Sequence, residues 1–222
     1  GLGNKFLAHI REAHAIAQVV RCFADDNVVH VSGRVDPIAD IEVINTELCL
    51  ADQDTVDRAL QKIVKQAKTG DKGAKKTQDL LERVMSHLNT AKPVRSMTLD
   101  SNEQEILSPI FLLTLKPTLY IANVEESGIR DNAWLPKLRE LTVQEHSEVI
   151  PVCAAIEAEL AELDEAGRKE FLETMGLQEP GLNRIIRAGY ALLGLRTFLT
   201  AGPKEVRAWT IHQGDKAPRA AG

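Results

Sequence analysis

The run Lys116-Pro-Thr-Leu-Tyr-Ile-Ala-Asn-Val-Glu-Glu126 reads as a buried strand that stops abruptly in a polar loop. Pro117 marks where it begins, and Thr118 to Ala122 are strand formers. Asn123, Glu125, Glu126, Ser127 and Gly128 then supply the loop. A strand buried on both faces carries such a continuous apolar run, and open α/β sheets bind ligands at the carboxyl ends of their strands. Val149-Ile-Pro-Val-Cys-Ala-Ala155 has the same shape. Between the two runs, Leu135 to Glu145 has helical spacing, with Pro136 suited to a first turn. Strand, helix and strand in that order make a βαβ unit, which sets the loops at Asn123 and Cys153 side by side.

The rest of the chain divides by periodicity. Phe6, Leu7, Ile10, Ala13 and Ile16 define one face of a helix from Asn4 to Ala17. A short strand, Val19 to Phe23, follows, then a turn at Asp25-Asp-Asn27 and an extended connection from Val28 to Val35. From Asp36-Pro37 the pattern becomes helical, through Ile41, Ile44, Leu48, Val56, Leu60 and Ile63. Thr69 to Gly73 breaks it, and Leu80, Leu81, Val84 and Leu88 resume it until Pro93. This is an antiparallel αα-hairpin. A further helix is expected from Ser101 to Leu113, capped by Ser101 and kinked near Pro109. The acidic stretch Glu157 to Glu173 reads as a solvated helix face, with Gly176 to end that helix and Pro180 to begin another. Thr197 to Thr200 and Glu205 to Ile211 read as a hairpin opening a β-rich unit.

Composition limits the function classes. The 222 residues carry a net charge of −5, which argues against attraction of nucleic acid over the whole surface. Cys22, Cys49 and Cys153 have no paired spacing, as expected in a reducing compartment. No apolar run approaches the roughly 20 residues of a membrane span. The chain opens Gly-Leu-Gly without methionine, so it is expected to be a fragment.

Several motifs do not carry chemistry. Gly70-Asp-Lys-Gly-Ala-Lys-Lys-Thr77 puts Lys75 where a phosphate loop needs its second glycine, and a helix precedes it. The six histidines form no metal set. Ser108, Ser127 and Ser147 lack the setting of a nucleophile elbow. No catalytic residue and no metal ligand is assigned. The lysines near the hairpin tip are different: Lys62, Lys65, Lys68, Lys72, Lys75 and Lys76 concentrate positive charge in an acidic chain. Such a patch attracts phosphate, so RNA or the ribosome is the expected contact. Asn123-Val-Glu-Glu126 is the remaining candidate. P-loop GTPases read guanine with Asn-Lys-x-Asp at one strand end and Ser-Ala-Lys at the next. Here Glu126 stands in the aspartate's place and no lysine stacks on the base, which loosens selection for guanine.

Six blocks together resemble the YchF, or Obg-like ATPase, family of P-loop NTPases. They are Gly1-Leu-Gly-Asn-Lys-Phe-Leu7, Val19-Val-Arg-Cys-Phe23, Asp40-Ile-Glu-Val-Ile-Asn-Thr-Glu-Leu48, Asn123-Val-Glu-Glu126, Glu179-Pro-Gly-Leu182 and Phe198 to Ile211. The resemblance implies an α/β fold, part of an OBG-type nucleotide-binding domain with an inserted helical hairpin and the start of a TGS domain. It divides the chain into residues 1–35 (nucleotide-binding domain), 36–116 (helical insertion), 117–195 (its base-binding half) and 196–222 (TGS start). By the same resemblance Asn123, Val124 and Glu126 bind the base, with Cys153, Ala154 and Ala155 on the neighbouring loop. Val124 is expected to touch adenine through its backbone or side chain. ATP is the implied nucleotide, with GTP alongside it, and Mg²⁺ is held by residues that precede Gly1. The implied protein is a cytoplasmic ATPase associated with the ribosome, and this stretch alone is expected to hydrolyse nothing. The alternative is a non-catalytic scaffold that binds RNA or the ribosome through its lysine-rich arm. A redox role for Cys22 or Cys153 is a third possibility.

Overall fold

Alternation along three short strands builds the centre. In the computed structural model, which describes residues 3–25, 27–28, 33–203 and 205–216, these are β1 (Ile16–Arg21), β2 (Thr118–Asn123) and β3 (Glu148–Val152). They form a parallel sheet in the order β1-β2-β3. Successive side chains of a strand point to opposite faces. Val20, Tyr120, Ala122 and Val149 therefore share one core with Ile41 of α2 (Pro37–Ala67) and Leu138 of α5 (Leu135–Val143). Leu119, Ile121, Ile150 and Val152 pack on the other face against Ile185 and Ala188 of α8 (Gly181–Leu192). The fold class is thus α/β, with helices on both faces of a parallel sheet.

Two expected boundaries move. The first helix, α1 (Asn4–Glu12), ends five residues before Ala17, and β1 begins at Ile16 and stops at Arg21. Ile16 and Ala17 satisfy a helical stripe as well as a strand. Pairing decides between them: Ile16 lies opposite Thr118, and the Lys116 ammonium donates to the carbonyls of Arg11 and Ala13 at the end of α1. Asp25 organises its turn by accepting from the Asn27 and Val28 amides. Asp26 of that turn and residues 29–32 of the expected connection lie outside the described residues, as do Lys204 and residues 217–222.

The hairpin is α2 and α3 (Lys72–Leu88). Asp36 starts α2 by accepting from the Ala39 amide, with Pro37 in the first turn. Asp71 starts α3 by accepting from the amides of Gly73 and Ala74. Val56, Leu60 and Ile63 pack on Leu80, Leu81, Val84 and Leu88. The next helix is shorter than expected. α4 (Ser101–Leu107) gives way to a 3₁₀ turn at Ser108–Ile110, where Pro109 takes the place of a helical N–H. Its cap is Asp100, not Ser101, because Glu103 reaches back to close a capping box with Asp100.

Buried polar contacts fix the hairpin to the sheet. Arg95 lies in the 3₁₀ turn Val94–Ser96 that follows the hairpin. Its Nε donates to Glu145 Oε2 at 2.8 Å, and its Nη2 donates to Asn45 Oδ1 at 2.9 Å and to the Tyr120 hydroxyl at 3.0 Å. Tyr120 in turn donates to Glu145 Oε2 at 2.7 Å. Burial, only partly offset by Arg95, pushes the tyrosine hydroxyl up to about 12, so it remains a donor at neutral pH. Higher on α2, Asp52 accepts from the amides of Leu113 and Thr114 and from the Thr114 hydroxyl.

The acidic stretch forms two helices, α6 (Ala154–Glu162) and α7 (Glu165–Met175). Gly176 ends α7 with φ +62°, a left-handed turn that glycine accepts without strain. Glu157 departs from the solvated reading. Its carboxylate accepts from the amides of Gly181 (2.7 Å) and Leu182 (3.0 Å), and so caps α8. A Cβ at Gly181 would lie 2.9 Å from Val152 Cγ1, which explains the glycine there. The tail forms an antiparallel ribbon, β4 (Leu195–Ala201) with β5 (Val206–His212). No helix among the described residues is long and apolar enough to cross a membrane.

Candidate functional site

Three strand ends converge where β1, β2 and β3 stop. Register places Arg21 opposite Asn123, and Asn123 opposite Val152. The ladder runs one residue further on each side, because Cys22 N donates to Asn123 O (2.7 Å) and Val124 N donates to Val152 O (2.9 Å). Cys153 therefore leaves the strand where its end was expected, and Ala154 and Ala155, expected in the loop, open α6 instead. The reason is local. Alanine is the strongest helix former, and the first amides of a helix need outside acceptors. Asn123 supplies one: its Oδ1 accepts from Ala154 N at 3.1 Å. One side chain thus joins the loop after β2 to the loop after β3.

Asn132 ties in the third end. Its Nδ2 donates to Cys22 O at 2.8 Å, and its Oδ1 accepts from Trp134 N. Arg21 shapes the same loop from beneath, donating to the carbonyls of Phe23, Asp25 and Val28 with its guanidinium over the Phe23 ring.

Around these ends lies a cavity of about 300 Å³, reached by Asn123, Val124, Glu126, Cys153, Ala154 and Ala155 together. The six expected residues are therefore neighbours in space. They do not contribute alike. The Val124 side chain is buried in the sheet core, and its amide is spent on Val152 O. Cys153 is buried, and its side chain packs with Ile156 and Leu160. Two rings that sequence reasoning missed, Phe23 and Phe171, complete the apolar walls. Phe23 ends the block Val19 to Phe23, so its place after β1 was a usable signal. Phe171 comes from α7, and nothing local marks it.

The chemistry of this cavity suits a flat heteroaromatic ring. Apolar and aromatic walls take its faces, and the Asn123 amide with the Glu126 carboxylate meets a polar edge. Glu125, Glu126 and Glu159 make the rim acidic, with no Lys or Arg lining the cavity. The cavity has room for a flat ring but offers no counter-charge to a triphosphate. Among the described residues, no group of three or more His, Cys, Asp or Glu is placed to hold a metal ion. The Arg130 guanidinium, beyond Glu126, donates to the carbonyls of Met175 and Gly176 and closes the end of α7.

The cysteines do not form a redox pair. All three are buried free thiols. Burial, with Asp40 nearby, pushes Cys22 up to about 12, and burial with Asp52 pushes Cys49 to about 11. Thiols held protonated are poor nucleophiles, which counts against the redox reading of Cys22.

None of the lysines lines the cavity. Lys62, Lys65 and Lys68 close α2, Lys72, Lys75 and Lys76 open α3, and all six are exposed at the hairpin tip. Lys75 pairs with Asp79 at 2.9 Å, so the patch is less positive than the run of lysines implies. A larger cleft of about 1020 Å³ lies between α8, β3 and β4. Three of its arginines are engaged: Arg184 with Pro151 O, Arg187 with Glu179 and Arg196 with Gln213.

A family described as "Protein of unknown function (DUF933)", YchF-GTPase_C, matches residues 195–222. The chain is similar to "Ribosome-binding ATPase YchF" of Haemophilus influenzae, 55% identical over 221 residues, covering 100% of this chain and 61% of that protein. The protein of the same name from Bacillus subtilis is 49% identical over 225 residues, covering 100% of this chain and 62% of that one. Among solved structures, the Schizosaccharomyces pombe YchF GTPase superposes with a TM-score of 0.86 at 36% identity. That match covers 100% of this chain and 61% of the other. The chain thus spans 61% of the length of the first of these relatives.

Proposed function

The chain is homologous to the YchF proteins along its whole length, and on that footing we propose that it is the base-binding half and helical arm of a ribosome-associated ATPase. One observation carries the nucleotide reading: the Asn123 amide oxygen is joined to Ala154 N across two strand ends, with Glu126 on the rim of the same cavity. Adenine fits this rim better than guanine. Glu126 is one methylene longer than the aspartate that accepts the paired guanine N–H groups, and a single exocyclic amine can still reach it. Stacking against Phe23 and contacts to the loop 153–155 supply the remaining affinity.

In this reading, residues 1–35 and 117–195 belong to the nucleotide-binding domain, 36–116 form the inserted arm, and 196–222 begin a TGS domain. The acidic rim does not suit phosphates, so the phosphate loop and the magnesium ligands come from the part of the longer protein that this chain does not span. No residue of this chain is assigned a catalytic role. Hydrolysis of ATP, and of GTP beside it, belongs to the longer protein, which works in the cytoplasm. The test is calorimetry with ATP and GTP on a chain extended to the length of its relatives. Shortening the acid with Glu126→Asp is expected to move the ATP-to-GTP affinity ratio about 10-fold toward GTP, the worth of one hydrogen bond to a charged group. An unmoved ratio means Glu126 does not read the base.

The six exposed lysines favour a second reading, in which the arm itself docks on RNA. Salt-sensitive attraction to phosphates follows from such a cluster. Replacing Lys65, Lys68, Lys72, Lys75 and Lys76 with Glu is expected to abolish co-sedimentation with ribosomes. Undiminished pelleting at the same salt concentration removes the tip as the contact.

A further inference from the structure

We infer that Arg95, although it belongs to the inserted arm, is a positioning residue for the base cavity, and that the arm and that cavity are energetically coupled through it. The inference rests on the reading of Asn123 and its neighbours as a base site.

The coupling runs through β2 and β3. They are six and five residues long, and each carries one base-site loop at its carboxyl end. At that end the Asn123–Ala154 hydrogen bond crosses from one loop to the other. At the opposite end a second bond crosses between the same two segments. Tyr120 of β2 donates to Glu145, which lies on the approach to β3. Any shear of β2 against β3 therefore breaks a hydrogen bond at one end or the other.

The arm grips the second bond. Arg95 reaches both Glu145 and Tyr120, and Asn45 of α2 completes the set through Arg95 and, at 3.4 Å, through Glu145 Oε1. Both charged side chains are almost fully buried, at 5% and 6% exposure. Among the described residues no buried side-chain nitrogen or oxygen lacks a partner. A saturated buried network has few arrangements of similar energy, because each displaced group goes unpaired in a medium that cannot solvate it. A movement of the arm's root is thus passed to Tyr120, three residues before Asn123. Coupling of this kind is reciprocal, so a base in the cavity must also alter the root of the arm.

Two readouts test this on a chain extended to the length of its relatives: ATP affinity by calorimetry, and amide hydrogen exchange over residues 40–52 and 94–96 with and without ATP. Tyr120→Phe removes one hydroxyl and keeps the ring. The double variant Arg95→Met/Glu145→Met removes both charges and keeps volume. Val84→Ala is the control, since it weakens the hairpin core without touching the network. ATP is expected to change exchange at the root in the wild type. Both network variants should bind ATP about 5-fold more weakly or worse and lose that response. Val84→Ala should do neither. Wild-type ATP affinity in the network variants overturns the coupling, as does an ATP response at the root that survives in them or is absent from the wild type. Asn123→Ala separates this failure from that of the base site. If it loses ATP while Tyr120→Phe does not, only the coupling falls. If it binds ATP normally, the base-site reading falls and takes the coupling with it.

Discussion

Arg95→Met is expected to destabilise the protein by about 3–5 kcal/mol, the usual consequence of leaving one member of a buried ion pair without its partner. Glu145 would remain in the sheet core with its charge and lose the guanidinium 2.8 Å away. Asn45 and Tyr120 would each lose a donor as well. Removing Glu145 too, as in Arg95→Met/Glu145→Met, should recover most of the loss, because two apolar side chains of similar volume leave no unpaired charge. Urea unfolding of the two variants measures the difference. Equal losses in the single and double variants would mean that packing at this position matters and charge does not.

Asp52→Ala should cost a comparable amount for a different reason. The carboxylate has no solvent exposure and accepts from Leu113 N at 2.8 Å and from Thr114 N and Oγ1 at 2.7 Å each. Truncation leaves two buried amides unpaired, at about 1–3 kcal/mol each. The pH dependence carries a second signature. Burial, opposed by the three hydrogen bonds, raises the Asp52 carboxyl above its ordinary 3.8. An acid whose folded-state value is raised binds its proton more tightly in the folded protein. Its favourable contribution is complete below 3.8 and is lost as pH rises through the folded-state value. Asp52→Ala should lack that slope when unfolding is followed from pH 3 to 7. A variant with the wild-type slope and midpoint would show that Asp52 does not hold the turn at Leu113.

What could be read in the sequence follows from how far apart the cooperating residues lie. β2 was legible because a five-residue run of strand formers, bounded by Pro117 and Asn123, is too short for a helix. The hairpin was legible because its helical stripes persist for several turns on either side of Gly70. β1 was misplaced because Ile16 and Ala17 satisfy both periods, and only pairing with Thr118 and Leu119 decides between them. Ala154 and Ala155 were read as loop rather than as the start of a helix because the acceptor that starts α6 is Asn123, 31 positions away. The Arg95 network left no trace in the sequence. Asn45, Arg95 and Tyr120 are separated by 50 and 25 positions, and although Tyr120 sits in a run read as buried, nothing local pairs its hydroxyl with Arg95. Glu157 was hidden in the same way, since an acid on an acidic helix looks solvated until the amides of Gly181 and Leu182 are found beside it.

The most direct test of the base site is ATP binding by calorimetry to a chain extended to the length of its relatives, as wild type and as Asn123→Ala. The account predicts that the wild type binds ATP and that the variant loses at least about 10-fold in affinity, since it forfeits a base contact and frees the first turn of α6. Undiminished ATP binding by Asn123→Ala would contradict it and place the base elsewhere.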